Sequence, residues 1–487
     1  MKFAFIDWTH ISGTHLLPRR YMDQVPLEEA VELQYLCEIA SGVYADEYVS
    51  PTAKGAVPYL RVNNVREFVP NITPCDLEYV VPRPEWGNHV VVAHGDVVIA
   101  RTGTLGRAFV VPRYLHGSVM SQHVTRLRLK EFSSVCAQLL AAYLNSSQGK
   151  EQVMGMASGS TRLELTHNDM NRIRVPRRVM LSRWVDCAAE GVEQDFEVAL
   201  GSALAAFRMC ERLALPVETS EQFFAVPYDA AAFAVSLVPN YHQPSHVGLE
   251  TLLLARFECV PLNQIALVKR GAGNLSAEYD IAGIPYMRTS SIINYGIEFF
   301  PEHYGSEEMY HAHKQNVGPG DILLTIEGKI GAVALLGPGD RCLIKNHIEF
   351  IRLHRSSPVP AEFVYALLSS YIGQIQIERR TVVQATIPGL GSESRTLLVP
   401  IGGRTARSQA RFEEIVAGVV ASVNQAQIAR ESLRKRLSSL ADAAKCCGSR
   451  QASAAPSVSL DHFNEAGITA SKRRSRAVEQ RRPSNSR

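Results

Sequence analysis

The chain predicts an α+β fold made twice: two pseudo-twofold-related modules, each followed by a long helix, with the two helices packed as an antiparallel coiled coil. Three observations carry that expectation. A glycine-framed motif occurs as GDVVIARTGTLG from Gly95 to Gly106 and again as GDILLTIEGKIG from Gly320 to Gly331. The segments around it recur in the same order, at separations that narrow only from 227 to 224 residues, which is the mark of duplication. After each copy comes a stretch with apolar residues every 3.5 positions, the seam of a helix lying along a partner helix.

Each element follows from local pattern. In both motifs a Gly-Asp turn feeds a short apolar run, Val97 to Ile99 or Ile322 to Leu324, and two glycines three apart open a second strand. Strand, tight turn, strand is the reading, with Gly95, Gly103, Gly106, Gly320, Gly328 and Gly331 as structural turns. PYLRVNNV at Pro58 answers PYMRTSSI at Pro285, and QHVTRLRL at Gln122 answers NHIEFIRL at Asn346. AYLNSSQGKEQV at Ala142 answers ALLSSYIGQIQI at Ala366, and both modules close on Val-Pro, at Val175-Pro176 and Val399-Pro400. LCEIA at Leu36 matches LNQIA at Leu262, and LLPRRYM at Leu16 loosely matches LVPNYHQ at Leu237. One helix is expected late in each module, over Ala137 to Val153 and roughly Ala361 to Ile377.

The first seam runs through Val185, Ala189, Val192, Phe196, Ala199, Ala203, Ala206, Cys210 and Leu213. The second runs through Phe412, Ile415, Val419, Ser422, Ala426, Ala429, Leu433, Leu437 and Leu440. A duplicated chain closes most simply if the two helices pack on each other; the alternative is that each covers its own module. The expected partition is a first module over 1–177, a central helix over 178–220, a second module over 221–401, a C-terminal helix over 402–447 and a disordered basic tail over 448–487.

Composition bounds the function. The hydrophobic fraction of 46% and charge of 20% are those of a soluble globular protein. No apolar run reaches the ~18 residues of a membrane span, and Asp7 interrupts the start where a secretory signal would be apolar, so a cytoplasmic location is expected. Nine cysteines without a Cys-x-x-Cys pair read as reduced thiols. The net charge is +3, and the tail from Ser449 carries more than all of it, so any nucleic-acid binding has to rest on local patches.

The search for catalytic chemistry returns little. Gly103 and Gly106 lack the Gly-Lys-Ser/Thr of a phosphate loop, and no Gly-x-Ser-x-Gly elbow or Asn/Asp-Pro-Pro-aromatic tetrapeptide occurs. Asp321, Glu327 and Lys329 spell a string that in some nucleases holds a metal, but the first copy has Asp96, Thr102 and Thr104 there. His311 and His313 are too isolated in sequence to make a zinc site, and the register-equivalent His123 and His347 read as histidines held by hydrogen bonds. No metal site and no catalytic residue is expected. Two modules that share apolar positions and differ in polar ones suit the reading of two different short DNA sequences, with Arg to guanine and Asn or Gln to adenine. The candidate DNA-binding residues lie beside the shared turns and in the late loops. They are Arg61, Asn63, Arg101, Thr102, Ser160 and Arg162 in the first module, and Arg288, Ser290, Glu327, Lys329, Gln384 and Thr386 in the second.

On the doubled Gly-Asp motif, the PYLRV and PYMRT strands, the Val-Pro closures and the two helices, the chain resembles the specificity (S) subunits of Type I restriction-modification systems. The resemblance spans about Leu36 to Ala444. It implies that each module is a target recognition domain and that the helices are a spacer between them. It further implies that the chain is non-catalytic and docks adenine-methyltransferase (M) subunits, two in number, with restriction (R) subunits joining. S-adenosylmethionine, ATP and Mg would then sit on the partners and no cofactor on this chain. A helix of about 30 residues is about 45 Å long, comparable with one turn of DNA, so the implied target is bipartite and asymmetric with an unread spacer. Two alternatives stand beside this reading: a recognition subunit of another defence system or solitary DNA binder, and a metal-dependent nuclease using Asp321, Glu327 and Lys329.

Overall fold

Val97–Ala100 and Ile322–Thr325 are buried at every residue, which explains why these strands read as continuous apolar runs instead of alternating ones. In the computed structural model, which describes residues 29–131, 133, 135–159, 163–177, 191–214, 239–272, 283–312, 317–383 and 388–448, each is the centre of a sandwich. Val97 and Ile99 face a helical layer, whereas Val98 and Ala100 face a second sheet. Ile322 and Leu324 likewise separate from Leu323.

The first module contains β1 (Ala30–Glu32), β2 (Cys37–Ser41), β3 (Val57–Leu60), β4 (Glu78–Val80), β5 (Val97–Ala100), β6 (Ala108–Val110), β7 (Val119–Met120), β8 (Val124–Leu129) and β9 (Arg174–Pro176). The second contains β10 (Phe257–Pro261), β11 (Ala266–Arg270), β12 (Ile284–Met287), β13 (Tyr304–Gly305), β14 (Ile322–Thr325), β15 (Val333–Leu335), β16 (Leu343–Ile344), β17 (Ile348–Leu353) and β18 (Leu398–Gly403). The topologies of these strands are the same, and the second module adds two short antiparallel pairs, Ile292–Ile293 with Gly296–Ile297 and Val382–Val383 with Pro388–Gly389. Antiparallel sheets run β2-β8-β5-β6 and β11-β17-β14-β15. Smaller sheets run β4-β3-β7 and β13-β12-β16, each with one parallel pair, β3 with β7 and β12 with β16. β1 pairs with β9 and β10 with β18, so each module's start is tied to its Val-Pro end.

The late helix expected in each module is two helices. Ala137–Asn145 and Ser147–Met156 meet at Ser146, whose backbone is extended (ψ 161°) and whose Oγ accepts from the Gly149 amide at 3.1 Å. Ala361–Ser369 and Tyr371–Arg380 break the same way at Ser370 (ψ 166°). The break folds the second helix back onto the first so closely that a Cβ on Gly149 or Gly373 would stand 2.2 Å from the carbonyl oxygen of Tyr143 or Leu367.

Of the central segment the structure describes Val192–Glu211 as helix, and Val185 and Ala189 lie outside the described residues, as do the Leu16 match, the start of the Leu237 match and the tail. The long helix spans Ala406–Gly448. The two helices pack antiparallel. Near one end Asp195 accepts from Arg436 Nε at 2.7 Å and from Ser432 Oγ at 2.6 Å; near the other Arg212 pairs with Glu414 at 3.1 Å. Between them Gly418 lets Met209 in, with Sδ only 2.9 Å from where a Cβ would be. Phe196, Ala203, Ala206, Cys210 and Leu213 are buried, as are Phe412, Ile415, Val419, Ala426, Ala429, Leu433, Leu437 and Leu440. The second seam passes through Val423 (0% exposed) instead of Ser422, because an apolar residue one place on fills the same 3.5-residue slot.

Both helices are also part of both cores. Ala203 to Leu213 and Phe412 to Ala426 join the core of the second module. Phe196 with Leu433, Leu437 and Leu440 joins that of the first. The C-terminal helix thus returns to the module where the chain began.

Candidate nucleic-acid interface

The aspartate of each Gly-Asp turn is a structural pin. Asp96 is 4% exposed and accepts from Arg128 Nε and Nη2, both at 2.8 Å, and from the Ala93 amide at 2.7 Å. Asp321 accepts from Arg352 Nε at 2.7 Å and Nη2 at 2.6 Å, and from the Gly318 amide at 3.0 Å. A bidentate guanidinium on a buried carboxylate satisfies both partners and fixes the strand entry. This geometry does not favour the nuclease alternative, since the Asp321 carboxylate is buried and held by three hydrogen bonds from Arg352 and Gly318. Among the described residues no group of His, Cys, Asp and Glu is placed to hold one. His311 lies on the helix Glu307–Ala312, 3.9 Å from Glu307, and His313 is outside the described residues.

Past that pin the Gly-x-x-Gly turn follows, with φ of 70° and 82° at Gly103 and Gly106 and 73° and 85° at Gly328 and Gly331, all in the left-handed region that glycine tolerates. The turn meets three other segments. The chain leaves β2 through Gly42 and β11 through Gly271, where a Cβ would lie 2.2 and 2.3 Å from the carbonyl oxygens of Met120 and Ile344. There it forms parallel bridges, Val43 to Ser121 and Ala272 to Lys345. The late loop adds a bridge to the turn itself, Glu164 to Thr102 and Gly389 to Glu327. Turn, crossing and late loop therefore build the same platform in each module.

The side chains on the platforms differ. In the first, Arg101 donates to Glu164 at 2.6 Å and to Ser41 Oγ at 3.1 Å, with Gln122 and His123 beside them. In the second, Glu327 receives Arg270 at 3.2 Å and His347 Nδ1, with Lys345 and Asn346 alongside. Glu349 beneath is 1% exposed, and burial pushes its carboxyl above the usual range against the pull of Arg270, 3.8 Å away. Arg270, Glu164, Gln122 and Asn346 were not among the candidate contacts; the register equivalence of Gln122 and Asn346 was a signal for those two, whereas Arg270 and Glu164 answer Ser41 and Gly389 in the other copy.

The other candidates scatter. Arg61 pairs with Glu78 at 3.2 Å and stands 5.6 Å over the Tyr48 ring. Asn63 and Ser290 are exposed and Arg288 half-buried. Thr102 is 1% exposed, so in this conformation its hydroxyl is closed to a ligand. Lys329 reaches Asp76 of the other module at 2.5 Å and the Ile292 carbonyl at 3.0 Å, so its ammonium is engaged within the protein. Ser160, Arg162, Gln384 and Thr386 lie outside the described residues, but the ends of their loops are described. Ser158 bridges Glu164, and Val382–Val383 pairs with Pro388–Gly389.

A doubled platform on one scaffold is the arrangement to compare with known proteins. The chain is similar to solved Type I restriction-modification S subunits. The Type I S subunit from M. genitalium is 14% identical, over 85% of this chain and 95% of that one, with a TM-score of 0.37. The HsdS subunit from Thermoanaerobacter tengcongensis is 15% identical, over 85% and 95%, with a TM-score of 0.26. A chain from a study of complex assembly and conformational transition of the type I R-M system is 16% identical, over 85% and 97%, with a TM-score of 0.26. No protein-family model matches the chain, and no curated protein does.

Proposed function

We propose that this chain is the DNA sequence-recognition subunit of a Type I restriction-modification complex. The observation that carries the reading is the pair of platforms, one backbone design with two sets of polar side chains. A protein that read one palindromic site with two copies would need like side chains; unlike ones suit a bipartite, asymmetric target. Each module is then a target recognition domain, within the 1–177 and 221–401 partition, and the helices of 178–220 and 402–447 are the strut between them. Arg101 and Glu164 in the first domain, and Arg270, Glu327 and Asn346 in the second, offer donors and acceptors of the kind that pair with base edges. Arg61, Asn63, Ser160 and Arg162, with Arg288, Ser290, Gln384 and Thr386, flank them.

The chain makes and breaks no bonds in this reading. Adenine methylation belongs to M subunits, two of them, and cleavage to R subunits, which would carry S-adenosylmethionine, ATP and Mg, all in the cytoplasm with the DNA. Among the described residues no helix is long and apolar enough to cross a membrane. The test is to express the chain with an M subunit and sequence the modified adenines. Methylation confined to a two-part motif with a fixed gap is expected; no motif, or a motif unchanged when the chain is omitted, overturns the reading. Purification of the chain alone, with DNA bound and no M subunit recruited, would assign it to solitary binding instead.

A further inference from the structure

In each platform a guanidinium bridges the Gly-x-x-Gly turn and the end of β2 or β11, and it arrives from opposite ends. In the first, Arg101 starts on the turn and reaches back to the end of β2, donating from Nη1 to Ser41 Oγ at 3.1 Å and from Nη2 to Glu164 at 2.6 Å. In the second, Ile326 stands at the register of Arg101. The guanidinium there starts at the end of β11, where Arg270 reaches forward to Glu327 on the turn, Nη1 donating at 3.2 Å. The same span is thus bridged in both copies by residues that are not register equivalents. The side chain of Arg270 is 44% exposed, against 18% for Arg101, so the second guanidinium is the more open to a ligand.

Beneath Arg270 lies a carboxylate that the first copy lacks. Arg270 and Glu349 are cross-strand partners on β11 and β17, with Nε and Oε1 3.8 Å apart, whereas Ser41 and Thr125 hold the same places on β2 and β8. Glu349 is almost wholly buried, and among the described residues its Oε2 receives no hydrogen bond. Ser394, Arg270 and Arg395 draw the carboxyl down, against the larger effect of burial. A carboxylate in such a place is costly. The sheet does not require it, because the first copy closes the same register with a serine and a threonine. What it adds is a second hold on Arg270. With Nη1 on Glu327 and Nε facing Glu349, the planar fork loses its freedom to turn, and the rest of it is presented in one orientation.

We infer that Arg270 is a specificity-determining residue of the second module, reading a guanine in one half-site, and that Glu349 is the positioning residue that holds it for that contact. The inference deepens the recognition reading above and rests on it. Arginine pairs bidentately with guanine O6 and N7, a contact that depends on the direction of the fork. A phosphate contact needs no such hold, since it carries no sequence information, and a buried negative charge close behind the cation would only weaken it. Modules that read different bases need different side chains at equivalent places. The exchange of Ser41 and Thr125 for Arg270 and Glu349 changes both members of one cross-strand pair together, as a reader and its support would.

The test uses the full chain expressed with an M subunit, and targets in which each base pair of the wild-type motif is changed singly. Arg270→Ala is expected to lower the preference for one G·C pair, in one half-site, by roughly 5- to 150-fold, with the other half-site read as before. Glu349→Gln should relax the same pair to a lesser degree, and Glu349→Asp should keep more of the preference than Glu349→Gln. The double variant Arg270→Ser with Glu349→Thr carries the first module's pair; it should melt as a folded protein and lose preference at that base pair alone. Unchanged preference in Arg270→Ala, a loss spread evenly over all sequences, or an affected pair that is not G·C overturns the reading role. A Glu349→Gln chain that discriminates like the wild type, or loses every sequence alike, overturns the positioning role, as does a double variant that fails to fold. All of these leave the recognition reading standing. A wild type whose methylation follows no two-part motif removes that reading, and this inference with it, before any variant is compared.

Discussion

Replacing Asp321 by alanine separates a structural role from a catalytic one. The carboxylate receives two charge-assisted hydrogen bonds from Arg352 and one from the Gly318 amide. Such bonds contribute roughly 1.5–3 kcal/mol each where both partners are buried. Arg352 is 43% exposed, so its guanidinium rehydrates when the carboxylate leaves and its share is heavily discounted. The Gly318 amide loses its partner at a cost of roughly 1–3 kcal/mol. A net loss of about 2–4 kcal/mol follows, which for a domain of this size is a fall in Tm on the order of 5–15 °C. Asp96→Ala should fall by a similar amount, because Arg128 is 38% exposed and the bonds are the same. Glu327→Gln, on the exposed platform, should melt within about 2 °C of the wild type, in line with ordinary surface changes. Thermal unfolding by calorimetry or circular dichroism reads all three. An Asp321→Ala protein that melts with the wild type would sink the pin argument, and one that also abolished a metal-dependent cleavage by the purified chain would reinstate the nuclease alternative.

Three further outcomes are expected. Gly149→Ala or Gly373→Ala should destabilise by about 1–3 kcal/mol through the clash with a backbone carbonyl, reversing the ~1 kcal/mol gain that alanine brings to an unhindered helix; a stabilised variant in chemical denaturation would refute the close approach. Leu437→Ala should cost about 2–5 kcal/mol and speed hydrogen exchange in β5 and β8 of the first module, far away in sequence; faster exchange confined to the long helix would show that it does not complete that core. Burial raises the Glu298 carboxyl above its ordinary range and lowers the Arg66 guanidinium. A carboxyl raised in the folded state binds its proton more readily there than in the unfolded chain. The stability it contributes is therefore present at low pH and is lost as pH climbs from the ordinary glutamate range through the raised value. The Tm difference between wild type and Glu298→Gln should shrink or change sign across that interval, and a constant difference would refute the shift.

Most of what was legible in the sequence came from repetition. A strand buried on both faces is mostly apolar, so Val97–Ala100 and Ile322 to Leu324 announce themselves twice, and the seam residues follow from their 3.5-residue spacing. The breaks at Ser146 and Ser370 were not read, because serine is tolerated inside helices and the apolar pattern runs on across it. Their recurrence at the same register, with Gly149 and Gly373 three residues later, was the available signal. The pairing of Asp96 with Arg128 and of Asp321 with Arg352 was also there to be found, as charges kept in both copies. The platforms were half legible: the turns could be placed, but Arg270 and Glu164 reach them from other strands and loops. The direct contacts between the modules were not legible at all. The Ile72 amide on Asn294, Arg66 on the Ser290 carbonyl and Arg107 on Glu298 join residues more than 190 positions apart, from polar loops that have no period.

Two helices join the modules, and they are not interchangeable. The central helix joins them through the chain, and the long helix joins them by burying Leu433, Leu437 and Leu440 in the first core and Phe412, Ile415 and Val419 in the second. A four-residue insertion in the central helix would move its far end by roughly 6 Å and turn it about 40° beyond a full turn. The expected result is a chain that reads both half-sites as before but prefers a different gap, scored by methylation of targets with stepped spacers. An unchanged preferred gap would refute the helices as the strut that spaces the modules.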